Sequence, residues 1–186
     1  MTNNASAMAF VFTRKLLCIA ALVCAAAVSA SDRDTARWST ERANAWYARQ
    51  PWPAGFNYAP RYAINQLEMW QQESFDPAVI DEELGWAADI GFNMVRVFLH
   101  DLLWQQDAQG FTQRIDQFLD IAAKHEIAVM LVLFDDVWDP QPQLGEQRAP
   151  RPRVHNSGWV QGPGAKILGD PSRHDELEPY VRGILE

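Results

Sequence analysis

The sequence predicts an α/β fold in which parallel strands alternate with helices, and three observations carry that prediction. Residues 91–100 read Gly-Phe-Asn-Met-Val-Arg-Val-Phe-Leu-His, and residues 127–134 read Ile-Ala-Val-Met-Leu-Val-Leu-Phe. Both are near-continuous apolar runs of strand length, the pattern of strands covered on both faces. Each follows a segment whose apolar residues recur at helical spacing, which implies a parallel sheet with right-handed crossovers. Each also ends in polar residues, His100-Asp101 and Asp135-Asp136, and function collects at the carboxyl ends of parallel strands.

Residues 1–30 read as a secretory signal peptide. Arg14 and Lys15 precede an apolar run from Leu16 to Val28, and Val28-Ser29-Ala30 offers small residues for cleavage. The run is short for a membrane span, and Asp32, Arg33 and Asp34 follow it at once. Neither Cys18 nor Cys24 follows the small residue that lipid attachment prefers. The expected product is secreted or periplasmic, free of the membrane after cleavage. Both cysteines lie inside the signal, so residues 31–186 are expected to hold no disulfide. Residues 31–186 suffice for one core but fall well short of the roughly 250 residues of a full eight-unit barrel.

Beyond the signal, Ser39 is suited to cap a helix with Ala43, Trp46 and Tyr47 on one face, broken by Pro51-Trp52-Pro53. Ala54 to Ala59 reads as a first strand, closed by Pro60. Ile64 to Gln72 reads as a short helix. Asp76-Pro77 joins a cap residue to proline at the first helical position. Asp81, Glu82 and Glu83 follow where the helix dipole favours them. Ile80, Leu84 and Ala87 line one side, and Gly91 ends the helix. After the strand bearing Arg96, a helix is expected from about Thr112 to His125, with Ile115, Phe118, Leu119 and Ala122 at its spacing. After the strand ending at Phe134, residues 136–171 are proline-rich and irregular, and connections of that length are usually functional. A last helix starts near Ser172 and runs to Glu186.

Arg96 stands in the middle of its apolar strand, on one face with Met94, Phe98 and His100. A buried guanidinium costs several kcal/mol unless carboxylates meet it. Arg96 with His100 at the strand end therefore reads as the floor and rim of a site, or as an ion pair within the sheet. The three strand ends deliver Asn57 and Tyr58, His100 and Asp101, and Asp135 and Asp136. Asp135 and Asp136 point to opposite sides, so they do not flank one bond. His100, Asp135 and His155 could hold a metal, but neither His-x-His nor His-Glu-x-x-His occurs, and no metal or cofactor is implied. Gly-x-Ser-x-Gly is absent, and Gly162-Pro163-Gly164 lacks the strand–turn–helix context of a phosphate loop. The densest polar–aromatic cluster is Val154-His155-Asn156-Ser157-Gly158-Trp159-Val160, a candidate ligand contact. With a net charge of −8 and no Lys/Arg stripe, nucleic acid is a disfavoured partner. All eight tryptophans follow the signal, and indole faces in a wet cleft are one way sugar rings are held.

The segments Asn65 through Gln71, Gly91 through Trp104, Phe118 through His125 and Pro150 through Gln161 resemble a bacterial group of secreted cellulase-like proteins. These are relatives of family-5 glycoside hydrolases, often labelled 1,4-beta-xylanase. The resemblance covers essentially all of residues 31–186. It implies the first three β/α units of a partial (β/α)8 TIM barrel and retaining hydrolysis of β-linked carbohydrate through two glutamates. Arg96 matches the second-strand Arg that positions the nucleophile. Asp135 stands where a third-strand polar residue contacts sugar, and Asn57, His100, Trp138, His155 and Trp159 are further substrate-binding candidates. The acid/base Glu of the family ends strand four in Asn-Glu-Pro and its nucleophile ends strand seven; no residue here matches either. The expectation is therefore an inactive amino-terminal part of such an enzyme, with a non-catalytic carbohydrate-binding fragment or a decayed pseudoenzyme as the alternative. Open sheet edges would favour self-association. Glu126 also departs from the resemblance, standing where the relatives carry a helix-ending glycine.

Overall fold

The computed structural model describes residues 37–186, so the signal-peptide expectation lies outside the described residues. The chain divides into two units between Pro51 and Trp52. In the first, Ser39 Oγ accepts the Arg42 N–H at 3.2 Å and opens helix α1, Thr40–Tyr47. No α1 residue is buried, so the face of Ala43, Trp46 and Tyr47 is exposed rather than packed.

The second unit is mixed α/β. Strands β1 (Gly55–Asn57), β2 (Met94–Phe98) and β3 (Ala128–Val132) form a parallel sheet in the order β1-β2-β3. Helices α2 (Gln66–Trp70) and α3 (Pro77–Asp89) lie between β1 and β2, and α4 (Asp101–Lys124) lies between β2 and β3. After β3 come a long loop, the short helix α5 (Ala165–Leu168), a 3-10 helix (Pro171–Leu177) and α6 (Glu178–Leu185). The 3-10 helix and α6 together stand where a single helix is expected from Ser172; the first two turns are tighter than α.

The start signals act as expected. Asp76 Oδ1 accepts the N–H groups of Ala78 and Val79 at 3.0 and 3.1 Å, with Pro77 behind it. Gly91, at φ 95°, takes the left-handed position that ends α3. Helix α4 begins well before Thr112. His100 caps it, accepting the Leu102 N–H on Nδ1 at 3.2 Å. A kink follows at Asp107 (φ −158°, ψ 79°), whose Oδ1 accepts the Gly110 N–H at 2.9 Å and so restarts the helix. The expected helix is the second segment of this kinked one.

Val95, Val97, Ile80, Leu84, Phe111 and Phe118 are buried on the side where α3 and α4 pack. The other face is open across its middle. Asn57, Arg96 and Met130 sit side by side in register across the three strands, and all three are exposed. The expectation of strands covered on both faces, with Arg96 buried, is therefore corrected. Helices cover one face only; on the other, Phe98 is buried beside Trp159 of the loop after β3, while Asn57, Arg96 and Met130 stay exposed. Arg96 accordingly carries no burial penalty and needs no carboxylate.

Buried aromatic polar groups bond to strand-end carbonyls. Trp70 Nε1 donates to Phe98 O, and Tyr180 OH donates to Leu133 O, each at 2.9 Å. Tyr58 OH donates to Glu83 Oε2 at 2.9 Å; burial, then this carboxylate, push the Tyr58 phenol well above its ordinary range. Helices α3 and α4 are joined by Asp81, which accepts from Lys124 Nζ at 2.7 Å and meets His125 Nε2 at 2.6 Å. Gly183 lets α6 lie against α4, because a Cβ there would collide with the Trp104 indole.

Candidate functional site

The carboxyl end of the sheet is shaped by the loop after β3. Its two ends pair: Asp135 and Gly162 exchange N–H···O bonds of 2.8 and 2.7 Å, and Asp139 bridges to Val160. Its middle is fastened to α2 by three buried amide side chains. Asn65 Nδ2 donates to Gly158 O and to Gln147 Oε1, both at 2.8 Å, and Gln66 Nε2 donates to Val160 O at 2.7 Å. Gln71 accepts the Gly145 N–H at 2.6 Å and donates to Gly145 O at 3.1 Å. Asn65 also caps α2 by accepting from the Leu67 and Glu68 N–H groups. A further close approach completes the fastening, since a Cβ at Gly158 would collide with Ile64.

This fastening lays down a continuous row of contacts. Asn57 Oδ1 accepts from Arg96 Nη1 at 3.5 Å, and the Arg96 guanidinium lies 4.7 Å from the centre of the Phe98 ring. Phe98 meets Trp159 edge-on with centroids 5.1 Å apart; Trp159 meets Trp138 at 6.1 Å, and Trp138 meets His155 at 5.9 Å. Trp138 Nε1 donates to Asp135 Oδ2 at 2.8 Å. Six of the seven sequence candidates, Asn57, Arg96, Asp135, Trp138, His155 and Trp159, thus belong to one surface. Trp138 and Trp159 are half-buried and His155 is exposed, so ring faces and edges remain open to solvent.

His100 is the exception. It is fully buried under the loop rather than at the rim, because it is spent as the cap of α4. Its Nε2 lies 2.9 Å from Gln161 O, which can only accept, so Nε2 carries the proton. Its Nδ1 faces Asp101 Oδ1 at 3.0 Å, and Asp101 Oδ2 accepts from Gln105 Nε2 at 3.0 Å. A hydrogen-bonded ring sealed at this depth positions the loop and does not touch a solute. The conceivable metal set of His100, Asp135 and His155 does not assemble either, and among the described residues no three His, Cys, Asp or Glu side chains gather.

Beside Trp138 and Trp159 lies a hollow of about 430 Å³, lined also by Arg148, Arg151 and His155. A larger hollow, about 790 Å³, is lined by Phe134, Asp136 and residues of the 3-10 helix and α6. No member of the aromatic row lines it, and the row rather than the larger volume carries the recognisable chemistry. Among the described residues, no helix is long and apolar enough to cross a membrane.

The chain matches no protein-family model, no curated protein and no solved structure. The chemistry therefore rests on the residues themselves. Indole and phenyl faces offer apolar area with polar edges. Arg96, Asn57 and Asp135 add a fixed donor, a mixed donor–acceptor and an acceptor along the same row. Such a strip suits a ligand with alternating apolar faces and hydroxyl edges. Sequence reasoning missed Asn65, Gln66 and Gln71 as the residues that hold the strip in place. The one available signal was three amide residues within seven positions, a clustering that composition alone does not interpret.

Proposed function

We propose that the carboxyl end of this sheet is part of the substrate cleft of a secreted, cellulase- or xylanase-like glycoside hydrolase of the family-5 type. In this reading β1, β2 and β3 are the first three strands of a (β/α)8 barrel. The open face carrying Asn57, Arg96 and Met130 is the side that further strands would roof. The observation that carries the reading is the row Arg96–Phe98–Trp159–Trp138–His155, with Asn57 at one end and Asp135 on Trp138. Sugar rings place C–H faces on indoles and hydroxyls on the flanking polar groups. Asp135 is the single carboxylate in that row, and bond cleavage of this type needs two. These 186 residues accordingly bind β-linked oligosaccharide without hydrolysing it.

The test is direct. Purified protein is titrated with cello-, xylo- and manno-oligosaccharides while tryptophan fluorescence is followed, and product is assayed on the corresponding polymers. Binding is expected, weakened at least tenfold by Trp159→Ala or Trp138→Ala, at about 1.4 kcal/mol per tenfold. No product is expected. Absence of binding to all three sugars, or binding unaffected by both substitutions, would remove the proposal. Turnover that persists through purification to homogeneity would overturn the non-hydrolytic part of it.

A further inference from the structure

Resting on that reading, we infer that the cleft is built for an acidic β-linked glycan, one bearing uronic-acid carboxylates, with Arg151 as the residue that meets the carboxylate. The chain as a whole is acidic, at −8. Residues 148–155 nevertheless read Arg-Ala-Pro-Arg-Pro-Arg-Val-His, without one acidic side chain. They lie beside the aromatic row, where Arg151 lines the hollow next to Trp138, Trp159 and His155.

The arginines are not equivalent. Arg148 is engaged internally, bonding to Asp139 Oδ2 at 3.2 Å and to Ser157 O at 3.1 Å. Asp139 also lines the hollow, but its Oδ2 meets Arg148 and its Oδ1 accepts the Gln141 N–H at 3.1 Å. Arg151 has no carboxylate within 4 Å among the described residues. Its backbone is held all the same. The buried Ser157 hydroxyl accepts the Arg151 N–H at 2.7 Å and donates to Arg151 O at 3.3 Å. With the main chain fixed, only the rotamers of the exposed, unneutralised side chain remain to be ordered on meeting a ligand. The planar fork matches a carboxylate in two parallel bonds.

The ligand class follows from what surrounds the cation. Indole faces beside it favour a sugar ring over an extended acidic peptide. The net negative charge of the chain repels a polyanion such as nucleic acid, in which every unit is charged. A neutral glycan with occasional carboxylates satisfies both conditions. Its ring stacks on Trp138 and Trp159, and its branch acid reaches Arg151.

The experiment uses matched pairs of ligands. Xylotetraose and cellotetraose are titrated, each in neutral form and carrying one glucuronic acid unit, at low and high salt. Wild type, Arg151→Gln and Trp159→Ala are compared by calorimetry. In wild type at low salt the acidic form is expected to bind about two- to fivefold tighter than its neutral partner, the range of an exposed ion pair. Arg151→Gln and high salt should each abolish that preference, bringing the acidic form to the affinity of its neutral partner. Trp159→Ala should weaken both forms. Equal binding of both forms by wild type, or a preference that survives in Arg151→Gln, overturns this inference and leaves the glycan cleft standing. Failure of wild type to bind any of the four overturns the glycan reading itself.

Discussion

Replacing Asn65 by alanine tests whether α2 holds the functional loop. Asn65 is 1% exposed and does two things at once. Its Oδ1 accepts the Leu67 and Glu68 N–H groups at 3.0 and 3.2 Å, and its Nδ2 donates to Gly158 O and Gln147 Oε1. Loss of the cap costs about 1 kcal/mol. Gly158 is buried, so its carbonyl is left unpaired at a cost of about 1–3 kcal/mol. Asn65→Ala should therefore lose about 2–4 kcal/mol. Asn65→Ser separates the two parts, because serine caps well but cannot reach Gly158. It should lose about 1–3 kcal/mol, the clamp alone. Urea unfolding gives the totals, and amide exchange at Gln161 and Gly162 shows whether the loop opens. A loss of only about 1 kcal/mol in Asn65→Ala, with loop exchange as in wild type, would refute the reasoning. The pairing of Asp135 with Gly162 would then hold the loop without α2.

Glu126 is exposed and held at φ 58°. A left-handed non-glycine residue costs about 1–2 kcal/mol, and glycine gives back about 0.5–1 kcal/mol in chain entropy. Glu126→Gly should raise the urea midpoint by a net gain of about 0.5–1 kcal/mol, with an unchanged slope. Gly183→Ala should lose about 1–2 kcal/mol despite better helix propensity, since the Trp104 indole must move; a melting temperature equal to wild type would show that α6 shifts freely. Lys124 first and His125 second hold the Asp81 carboxyl below its usual range. A lowered carboxylate contributes stability that is present above about pH 4 and lost as pH falls through its folded value. The difference in stability between wild type and Asp81→Asn should thus shrink on acidification below about pH 4; a constant difference from pH 7 to pH 2 would argue against it.

What could be read from the sequence follows the locality of each signal. Asp76-Pro77, Ser39 and Gly91 act within a few residues of themselves, and each marks a boundary found in the structure. The start of α4 was hidden because histidine is not a usual cap. Asp107 and Gly110 also interrupt the apolar spacing on which a helix assignment depends. The sequence makes Arg96 look buried because an apolar run reports that a strand is packed, not which of its faces has a partner. Its place at the end of the strand makes His100 look like a rim residue. Its burial depends on Gln161, sixty-one positions away, and no local pattern encodes that contact. The aromatic loop announced itself by density. Its anchors did not, because amide–carbonyl bonds between Asn65, Gln66 or Gln71 and residues over seventy positions away have no period.

The anchoring amides separate support from recognition. Asn65, Gln66 and Gln71 carry no charge, and their loop partners are main-chain groups together with the Gln147 amide. Neither acid nor ionic strength acts directly on such bonds, whereas the exposed guanidiniums of Arg96 and Arg151 are screened as salt rises. The loop can therefore keep its shape as acid and salt vary, while in the proposed reading its hold on a charged ligand would slacken as salt rises. Exchanging Arg96 or Arg151 would leave those anchors untouched, and a change to one amide would disturb both support and recognition.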